Sequence, residues 1–500
     1  MLQTLKNAWS TKDIRSKILF TLFILLIYRV GTVIPVPFVE ASDFASTLNG
    51  TILQYMNMLS GGSLGAMTLF ALGVQPYINA SIIIQLLAVV FPKLGELGKT
   101  DKKKMNFITR CVTVALAVVT GVGYYFLLRN GNAASGITTF LTVNAYSGPL
   151  AWLYAIVIIA CYVAGAMLIM WLAERINEKG IGNGISMILF ANIVAAVPNF
   201  VITLTSLVID TYSYPKETWV YALVSTVFAI LFVALLLALI AFVIYVTGSE
   251  RRIPVQYAKK VVGRKMYGGQ SSNLPIKLNM TGVMPIIFAS SIVSFLPTIV
   301  QILEGMNIVK ADSGWAKFAD IIGSEGAVYP IMLFILIIAF AYFYTQITFD
   351  PMEVANNLKK QGGAIPGIRQ GRPTADYIRK ILNKITLAGA LFLGFIAVLP
   401  IILGPHAFGP LFRWIYEGSG LYDYYFDYFL NAGYSSLGME IVDSLAASQA
   451  ASNAASAASG LVSVFTFGGT TLLIVVGVAI ETFRELEAQL TMRSYKGFLN

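Results

Sequence analysis

The sequence predicts an all-α polytopic membrane protein of ten transmembrane helices, arranged as two pseudo-symmetric, inverted halves of five helices each. Of its 500 residues, 57% are hydrophobic and only 12% are charged, which excludes an ordinary soluble domain. Hydropathy separates ten apolar segments that can cross a hydrocarbon core of about 30 Å. Five spans followed by five that start from the opposite side of the membrane is the arrangement that an inverted repeat requires.

The ten predicted spans divide the chain into segments. In order, the spans are Ile18–Val36, Leu64–Val90, Phe107–Leu128, Ala151–Leu172, Ile185–Leu204, Trp219–Val246, Met280–Ile302, Val328–Ile347, Ile385–Leu403 and Leu461–Ile480. The first half is expected at 18–205 and the second at 219–480, with an N-terminal segment at 1–17, an external hinge loop at 206–218 and a tail at 481–500. The second half carries loops at 248–279 and 348–384, and a long external loop at 404–460 that includes an Ala- and Ser-rich tract.

The distribution of basic residues predicts the orientation of the chain. Lys and Arg accumulate in cytoplasmic loops, and 29 of the 35 lie at the N-terminus, in or beside every second loop, or in the C-terminal tail. Both termini are therefore predicted to be cytoplasmic, and the net charge of +10 reflects topology. No cleavable signal peptide is expected, because the first apolar segment is long enough to remain in the membrane.

The second span is interrupted at Gly73 and Pro76. Its first part, Leu64–Leu72, is expected to be a helix of about 14 Å at ~1.5 Å per residue, too short to span alone. Its second part, Pro76–Val90, is expected to be a longer helix. Non-helical backbone at membrane depth is tolerated only where it is buried in protein or lines a watery cavity. The break therefore indicates a pore or a solute-binding site.

The predicted spans contain almost no ionisable residues. Only Arg29 and Arg110, near span ends, are charged, whereas ion-coupled carriers usually keep charged residues at mid-membrane. The sequence also offers no buried carboxylate pair, Ser–His arrangement, metal-ligand cluster or phosphate-binding loop. We therefore expect no catalytic residue, no cofactor, no metal site and no enzymatic activity.

Small polar residues recur along the second part of the broken span. Gln75 and Asn79 share one helix face, as do Ser81 and Gln85, because residues four apart lie together on a helix. Such groups can hydrogen-bond across a helix seam for roughly 0.6–2 kcal/mol each. The spacing fits a seam that opens and closes, and it fits ordinary interhelical packing equally well.

Two loops are unusually basic. The stretches Arg251–Lys277 and Asp350–Lys384 hold seven basic residues each, which is more than topology requires. Their Gly and Pro residues predict structured, projecting loops rather than helices. We expect these loops to dock a partner, while attraction to anionic lipid also fits their charge.

Seven long motifs fall at consistent places relative to the ten spans. They are RVGTVIPVP (Arg29–Pro37), FALGVQPYINASIIIQLL (Phe70–Leu87), NEKGIGNGIS (Asn177–Ser186), ERRIPVQYAKK (Glu250–Lys260), NMTGVMPIIFASS (Asn279–Ser291), NNLKKQGGAIPGIRQGRPT (Asn356–Thr374) and FGGTTLLIVVGVAIET (Phe467–Thr482). Through them the chain resembles, from Lys17 to Leu499, the SecY family of channel subunits of the bacterial protein-translocation complex. The resemblance implies an hourglass channel around a central pore, with a hydrophobic ring, a short plug helix and a seam that opens sideways into lipid.

The resemblance assigns residues to each part of such a channel. The plug falls on about Gly62 to Leu72, with Gly62, Leu64, Met67, Phe70 and Leu72 as its named residues. The ring falls on Ile78, Ile82, Ile185, Leu189, Ile287 and Ile474. The lateral gate falls on Pro76–Val90 and Met284–Ile299, with Gln75, Asn79, Gln85, Ser290 and Ser291 at the seam.

The resemblance also implies partners and a location. The partners are the SecE and SecG subunits, the SecA motor ATPase, the ribosome through its rRNA, signal sequences and nascent polypeptides, and membrane lipid, with the YidC insertase and SecDF as further candidates. Docking of the ribosome and the motor would fall on Arg251, Arg252, Lys259, Lys260, Arg369 and Arg372, since arginine pairs well with phosphate and carboxylate. The implied location is the bacterial plasma (inner) membrane.

The chain departs from the family pattern at two places. It reads GIRQG where relatives commonly read GIRPG, so Gln370 is expected to reduce loop stiffness. The loop at 404–460 is far longer than usual.

Two alternative functions are compatible with parts of the sequence. A secondary transporter would use the broken helix as its substrate site, and a membrane scaffold would use only the basic loops. An apolar ring favours a polypeptide channel, whereas converging polar groups would favour the transporter.

Overall fold

The computed structural model describes most of the chain, and the structural statements below concern those residues. They are residues 2–40, 44, 52–130, 139–213, 219–257, 260–262, 265–267, 271–306, 308–309, 313–322, 328–403 and 469–492. The predicted external loop at 404–460 and Lys259 lie outside the described residues.

Helices account for most of the regular structure. They are α1 (Leu2–Ser10), α2 (Lys12–Gly31), α3 (Ile52–Leu59), α4 (Gln75–Val90), α5 (Pro92–Thr100), α6 (Lys102–Asn130), α7 (Val143–Ser147), α8 (Ala151–Lys179), α9 (Gly184–Ser213), α10 (Trp219–Gly248), α11 (Met284–Gly305), α12 (Gly314–Ile322), α13 (Val328–Thr348), α14 (Pro351–Lys360), α15 (Arg372–Leu403) and α16 (469–492). The strands are β1 (Glu250–Tyr257), β2 (Lys260–Val262), β3 (Lys265–Tyr267), β4 (Ser271–Lys277) and β5 (Gly363–Ala364).

A helix lies at each of the ten predicted spans. By length and composition, seven helical stretches in the described ranges can cross a membrane by themselves. An eighth candidate is the pair α4 and α5, which is bent by 118° around Phe91. The prediction of a mostly helical, polytopic membrane protein is confirmed.

Packing of the spans joins the two halves along one seam. In the first half, α4 packs against α6, α6 against α8, and α2 against both α8 and α9. In the second half, α13 packs against α11 and α15. Helix α11 also contacts α4 and α6 of the first half, so the seam between the halves is closed by direct helix contact.

Residues 61–74 contradict the helix predicted at Leu64–Leu72. They form successive turns, and this segment is tied to the end of the first span by the Val36 N–H, which donates to the Met67 carbonyl at 3.0 Å. The φ angles of Met67 (48°) and Gly73 (56°) are positive, a conformation that ends a right-handed helix. Hydrogen bonds to a neighbouring segment thus take the place of helical ones, and the segment lies between helices α3 and α4.

The predicted break in the second span is present. Helix α4 begins at Gln75 with Pro76 in its first turn, where the missing N–H of proline costs no helical hydrogen bond. The preceding turn contains Gly73 in a left-handed conformation, which glycine adopts without steric cost. The local sequence therefore accounts for where the long part of the broken span starts.

The two basic loops form a small domain of strands and helices. Strand β1 pairs antiparallel with β4 of the same loop and with β5 of the other loop, in the order β4–β1–β5. Helix α14 and the start of α15 lie in the second loop, so the prediction of a loop without helices is wrong there. Strands β1–β4 in the first loop and β5 in the second are a local addition to the mostly helical fold. A shared apolar core, with Ile253, Ile276, Leu358, Ile365 and Ile378 among its members, stabilises the unit.

The hinge loop predicted at 206–218 is shorter than expected. Helix α9 continues to Ser213 because residues 207–209 (Leu, Val, Ile) extend its apolar run. Helix α10 begins at Trp219, and residues 214–218 lie outside the described ranges.

Candidate functional site

The six predicted ring residues come together in one apolar cluster. Ile78 and Ile82 lie on α4, Ile185 and Leu189 on α9, Ile287 on α11 and Ile474 on α16. Five of them are at most 4% exposed and belong to the cluster, while Ile185 is half-buried and packs against it. Residues four apart share a helix face, which explains why α4 and α9 each contribute a pair. Four helices, two from each half, therefore meet through aliphatic side chains.

The chemistry that the ring offers is hydrophobic contact. Its aliphatic side chains carry no hydrogen-bond donor or acceptor, and a narrow apolar constriction excludes ions by dewetting. Within the described ranges, no three His, Cys, Asp or Glu side chains come together as a possible metal site. These six side chains supply no nucleophile, acid or base.

The predicted plug residues divide between two apolar clusters. Phe70 belongs to the same cluster as the ring. Leu64, Met67 and Leu72 belong to a second cluster, beside α6 and α8, and Gly62 is exposed. The structure therefore brings one predicted plug side chain to the ring cluster and holds three others next to it.

Helix α3, which the sequence analysis did not predict, lies against the ring. Leu59 at its end belongs to the ring cluster. The sulfur of Met56 accepts a hydrogen bond from the hydroxyl of Tyr124 on α6 at 3.6 Å. It also lies 3.5 Å from the hydroxyl oxygen of Thr298 on α11, across the seam, although that hydroxyl donates its proton to the Ser294 carbonyl at 2.7 Å. Apolar residues three apart at Leu53, Met56 and Leu59 were the available signal, since this spacing indicates an amphipathic helix.

Little space separates α3, the turns at 61–74 and the ring. A crevice of about 10 Å³ lies between them, lined by Met56, Leu59, Ala71, Ile78 and Leu189 among others. A water molecule needs roughly 10–15 Å³. The crevice therefore holds at most one water, and the structure is closed at this point.

The two predicted gate helices, α4 and α11, satisfy several of their polar side chains internally. Ser290 and Ser291 are each 2% exposed, and the Ser290 hydroxyl donates to the Ile287 carbonyl at 3.1 Å. On α4, the Gln85 amide donates to the Ser81 hydroxyl at 3.0 Å. The hydrogen bonds of Ser81 and Ser290 therefore stay within their own helices, whereas Gln85 also forms a side-chain hydrogen bond with Tyr344 on α13 of the second half.

A cavity of about 350 Å³ lies at the seam between α4, α6 and α11, and Gln75 and Asn79 line it together with apolar residues such as Phe295 and Ile299. Both polar atoms of the Gln75 amide are buried without a partner among the described residues. The seam therefore contains a cavity with a mostly apolar lining beside an unsatisfied amide.

The predicted docking residues project from the basic loops. Arg251 and Arg252 lie on β1, Arg369 and Arg372 lie at the start of α15 or just before it, and all four are exposed, while the backbone of Lys260 begins β2. Arg252 pairs with Glu250 at 2.8 Å, which offsets part of its charge. The structure thus brings arginines from both loops onto one unit.

Gln370 stabilises the second basic loop through a side-chain hydrogen bond, contrary to the expectation that it reduces the stiffness of this loop. Its amide donates to the carbonyl of Gly363 in β5 at 3.2 Å, a hydrogen bond that proline cannot make. The Thr374 hydroxyl donates to the Arg369 carbonyl at 2.8 Å, and Gly371 between them has a φ of 95° that favours glycine. Side-chain hydrogen bonds on both sides therefore fix the turn that presents Arg369.

Lys277, at the end of strand β4, has a pKa that its surroundings lower. Partial burial, and next the nearby Arg484, lower the pKa of Lys277, while Glu250 opposes this shift. Glu250 lies opposite Lys277 in the pairing of β1 with β4. Lys277 is therefore a less favourable cation than the exposed arginines and does not join the docking set.

Comparison with known proteins agrees with the motifs. The SecY family model matches residues 68–421. The protein translocase subunits SecY of Streptomyces coelicolor and Mycobacterium tuberculosis are each 37% identical to this chain, with 100% of both chains covered. Two solved structures share the fold of this chain at 17% sequence identity. Each alignment covers 95% of this chain and 92% of the chain in the solved structure. They are a protein-conducting channel (TM-score 0.57) and a SecY whose plug domain stabilises the closed state of the translocation channel (TM-score 0.54). The chain belongs to the SecY family of protein translocase subunits.

Proposed function

We propose that this chain is the channel-forming subunit of a protein translocase, which conducts unfolded secretory polypeptides across the membrane and releases transmembrane segments sideways into lipid. The observation that carries the proposal is the ring, because six aliphatic residues from four helices of both halves converge on one cluster. The absence of charged residues from the centres of the predicted spans argues against an ion-coupled solute carrier.

An apolar ring suits a conduit for polypeptides of varied sequence. It makes no specific hydrogen bonds and therefore does not select among side chains, and it resists ion leakage by dewetting. We assign the resting seal to the ring together with a plug that includes Gly62–Leu72 and the preceding helix α3. The tight crevice between Leu59, Ile78 and Leu189 supports adding α3 to the plug.

We assign the lateral gate to the seam between α4 and α11. A hydrophobic signal helix gains ~25 cal/mol per Å² of apolar surface removed from water. The buried, unpartnered amide of Gln75 costs the closed state about 1–3 kcal/mol. The closed seam is therefore only marginally favoured, and a suitable signal sequence can open it.

Partners and location follow from the proposed role. The channel would assemble with SecE and SecG, receive chains from the SecA motor or the ribosome at the exposed arginines, and act beside YidC and SecDF. Sec61 in a canine ribosome–channel complex is a fold neighbour at 16% identity and a TM-score of 0.54, and it motivates ribosome docking here. We assign the chain to the bacterial inner membrane with both termini cytoplasmic, because its basic residues are distributed accordingly. ATP hydrolysis belongs to the motor, not to this chain.

Reconstitution in lipid vesicles tests the proposal. Vesicles that contain this chain with SecE and SecG should, when SecA and ATP are supplied, protect a secretory precursor from added protease. The same precursor without its signal sequence is the matched control and should remain digestible. Accumulation of a small solute along an ion gradient, with no protected polypeptide, would instead favour the secondary transporter that a broken helix also fits.

A further inference from the structure

A buried asparagine lies one helical turn beyond the ring on α9. Asn192 is 0% exposed and is three residues from the ring residue Leu189, so both lie on the same side of the helix. Its side-chain N–H donates to the main-chain carbonyl of Leu59, the last residue of α3, at 2.7 Å. Asn192 therefore links the helix that carries two ring residues to the end of the plug helix.

The bond completes the hydrogen bonding at the end of α3. The last four carbonyls of a helix have no partner within it, and buried carbonyls need one. The carbonyls of Met56, Asn57 and Met58 accept N–H groups from the turn that follows, at residues 60–62. The fourth, that of Leu59, accepts the Asn192 side chain.

Gly61 provides the room for this contact. It has a φ of 69°, and a Cβ on it would lie 2.9 Å from both Asn192 Oδ1 and Arg29 Nη1. Both of these atoms are buried, and no hydrogen bond of good geometry reaches either of them among the described residues. The buried Tyr28 hydroxyl is the polar group that interacts with the Asn192 side chain. The turn after α3 is thus enclosed by polar side chains from spans of the first half.

We propose that Asn192 is a positioning residue that holds the plug helix against the ring and so sets how easily the channel opens. The proposal rests on the proposed function, since it presumes that α3 moves when the channel opens. Displacing α3 would break the bond between Asn192 and Leu59 and leave two buried polar groups to find new partners. Removing the side-chain donor should therefore favour the displaced plug by about tenfold.

The experiment measures the position of the plug in the assembled complex. A single cysteine replaces Ser60, which is 3% exposed and lines the crevice beside the ring, and the native Cys111 and Cys161 are replaced by serine. The rate at which a membrane-impermeant maleimide labels this cysteine in vesicles reports how often the plug leaves its site. Asn192→Leu and Asn192→Ala remove the donor without adding a charge beside Arg29, the first with little change in size. Val197→Ala on the exposed side of the same helix is the matched control.

We expect labelling to be about tenfold faster in both Asn192 variants and unchanged in the control. A precursor with a defective signal sequence should also be translocated better by the Asn192 variants, and not by the control. Equal labelling rates in all chains, or equal acceleration in the control, would overturn the role of Asn192. If Asn192→Leu does not assemble, the Ala variant decides the outcome, because a smaller side chain cannot clash with its neighbours. Failure of the parent chain to translocate an intact precursor would instead contradict the proposed function, whatever the labelling shows.

Discussion

At the scale of single residues, the proposed seal of the ring depends on aliphatic side chains that are almost completely buried. Ile474 is 1% exposed and Ile287 is 4% exposed, and both contribute to the cluster in which α4, α9, α11 and α16 meet. A polar atom at either position would be buried without an obvious partner, which costs about 1–3 kcal/mol in proteins. Water entering the constriction would recover part of that cost, so a polar substitution weakens the closed state.

Ile474→Asn should therefore relax the requirement for a good signal sequence. The measurement is the amount of precursor with a defective signal that is translocated, relative to an intact precursor, and we expect the ratio to rise several-fold. Combining it with Ile287→Asn should add ion conductance in the resting vesicles. Ile474→Val keeps the site apolar and should leave the ratio near that of the parent. An unchanged ratio in the Asn variant would count against the ring.

Gln370 gives a second prediction at this scale. Gln370→Ala removes the hydrogen bond to Gly363 and frees the turn that carries Arg369, so binding of the SecA motor should weaken by about two- to fivefold, as expected for a bond worth ~0.5–1 kcal/mol. Arg369→Glu should weaken motor binding more, while spontaneous insertion of a short membrane segment remains. The affinity of SecA for vesicles that contain each variant, measured by titration with SecA, tests both predictions. An Arg369→Glu variant that binds SecA as tightly as the parent chain would contradict the docking assignment.

The sequence predicted some residue roles and missed others for a physical reason. The ring residues lie on long apolar helices that hydropathy predicts, and the family resemblance assigned their positions. The structure places five of them in one large apolar cluster and Ile185 against it. Asn192 was missed because a single polar residue in an apolar span indicates only some interhelical contact. Its partner is a main-chain carbonyl on α3, a helix that was not predicted.

At the scale of elements, the plug region is where local pattern and structure disagree. The apolar run Leu64–Leu72 suggests a helix, yet Val36 and Met67 pair through their main chains, and positive φ angles interrupt the segment. That pairing joins residues about thirty positions apart, which local periodicity does not report. The amphipathic helix α3 is short, and its mixture of polar and apolar residues gave a weaker signal than the adjacent apolar run.

Met56 on α3 provides a test of how plug and gate are coupled. Met56→Leu conserves volume but removes the sulfur that accepts the hydrogen bond of the Tyr124 hydroxyl. A buried tyrosine hydroxyl without a partner costs about 1–3 kcal/mol, so we expect easier opening, seen as better translocation of precursors with weak signals.

A double-mutant cycle provides the control for this prediction. Tyr124→Phe added to Met56→Leu removes both partners of one hydrogen bond, which is often nearly neutral, so signal stringency should return toward that of the parent. Additive effects of the two changes would show that Met56 and Tyr124 are not coupled, and the proposed link between plug and gate would be lost.

At the scale of the whole molecule, two bodies stand out. The spans form a closed bundle whose halves meet at the ring and along the seam of α4 and α11. The basic loops form a second unit, because Gln256 and Tyr257 of one loop pair with Ala364 and Gly363 of the other. The sequence predicted the bundle from hydropathy, but strand pairing between residues about a hundred positions apart leaves no local signature. The two loops connect α10 to α11 and α13 to α15, so a partner bound to this unit would be linked to the ends of four spans.

The most direct test of the central claim is the path of a polypeptide through the ring. A photo-crosslinking residue at Ile82 on α4, in the assembled complex with a precursor stalled during translocation, should crosslink to the translocating chain. The same residue at Leu237 on α10, which is 59% exposed on the outside of the bundle, should not crosslink to the translocating chain. Protection of the precursor with no crosslink from Ile82, or with equal crosslinks from Leu237, would contradict a path through the ring.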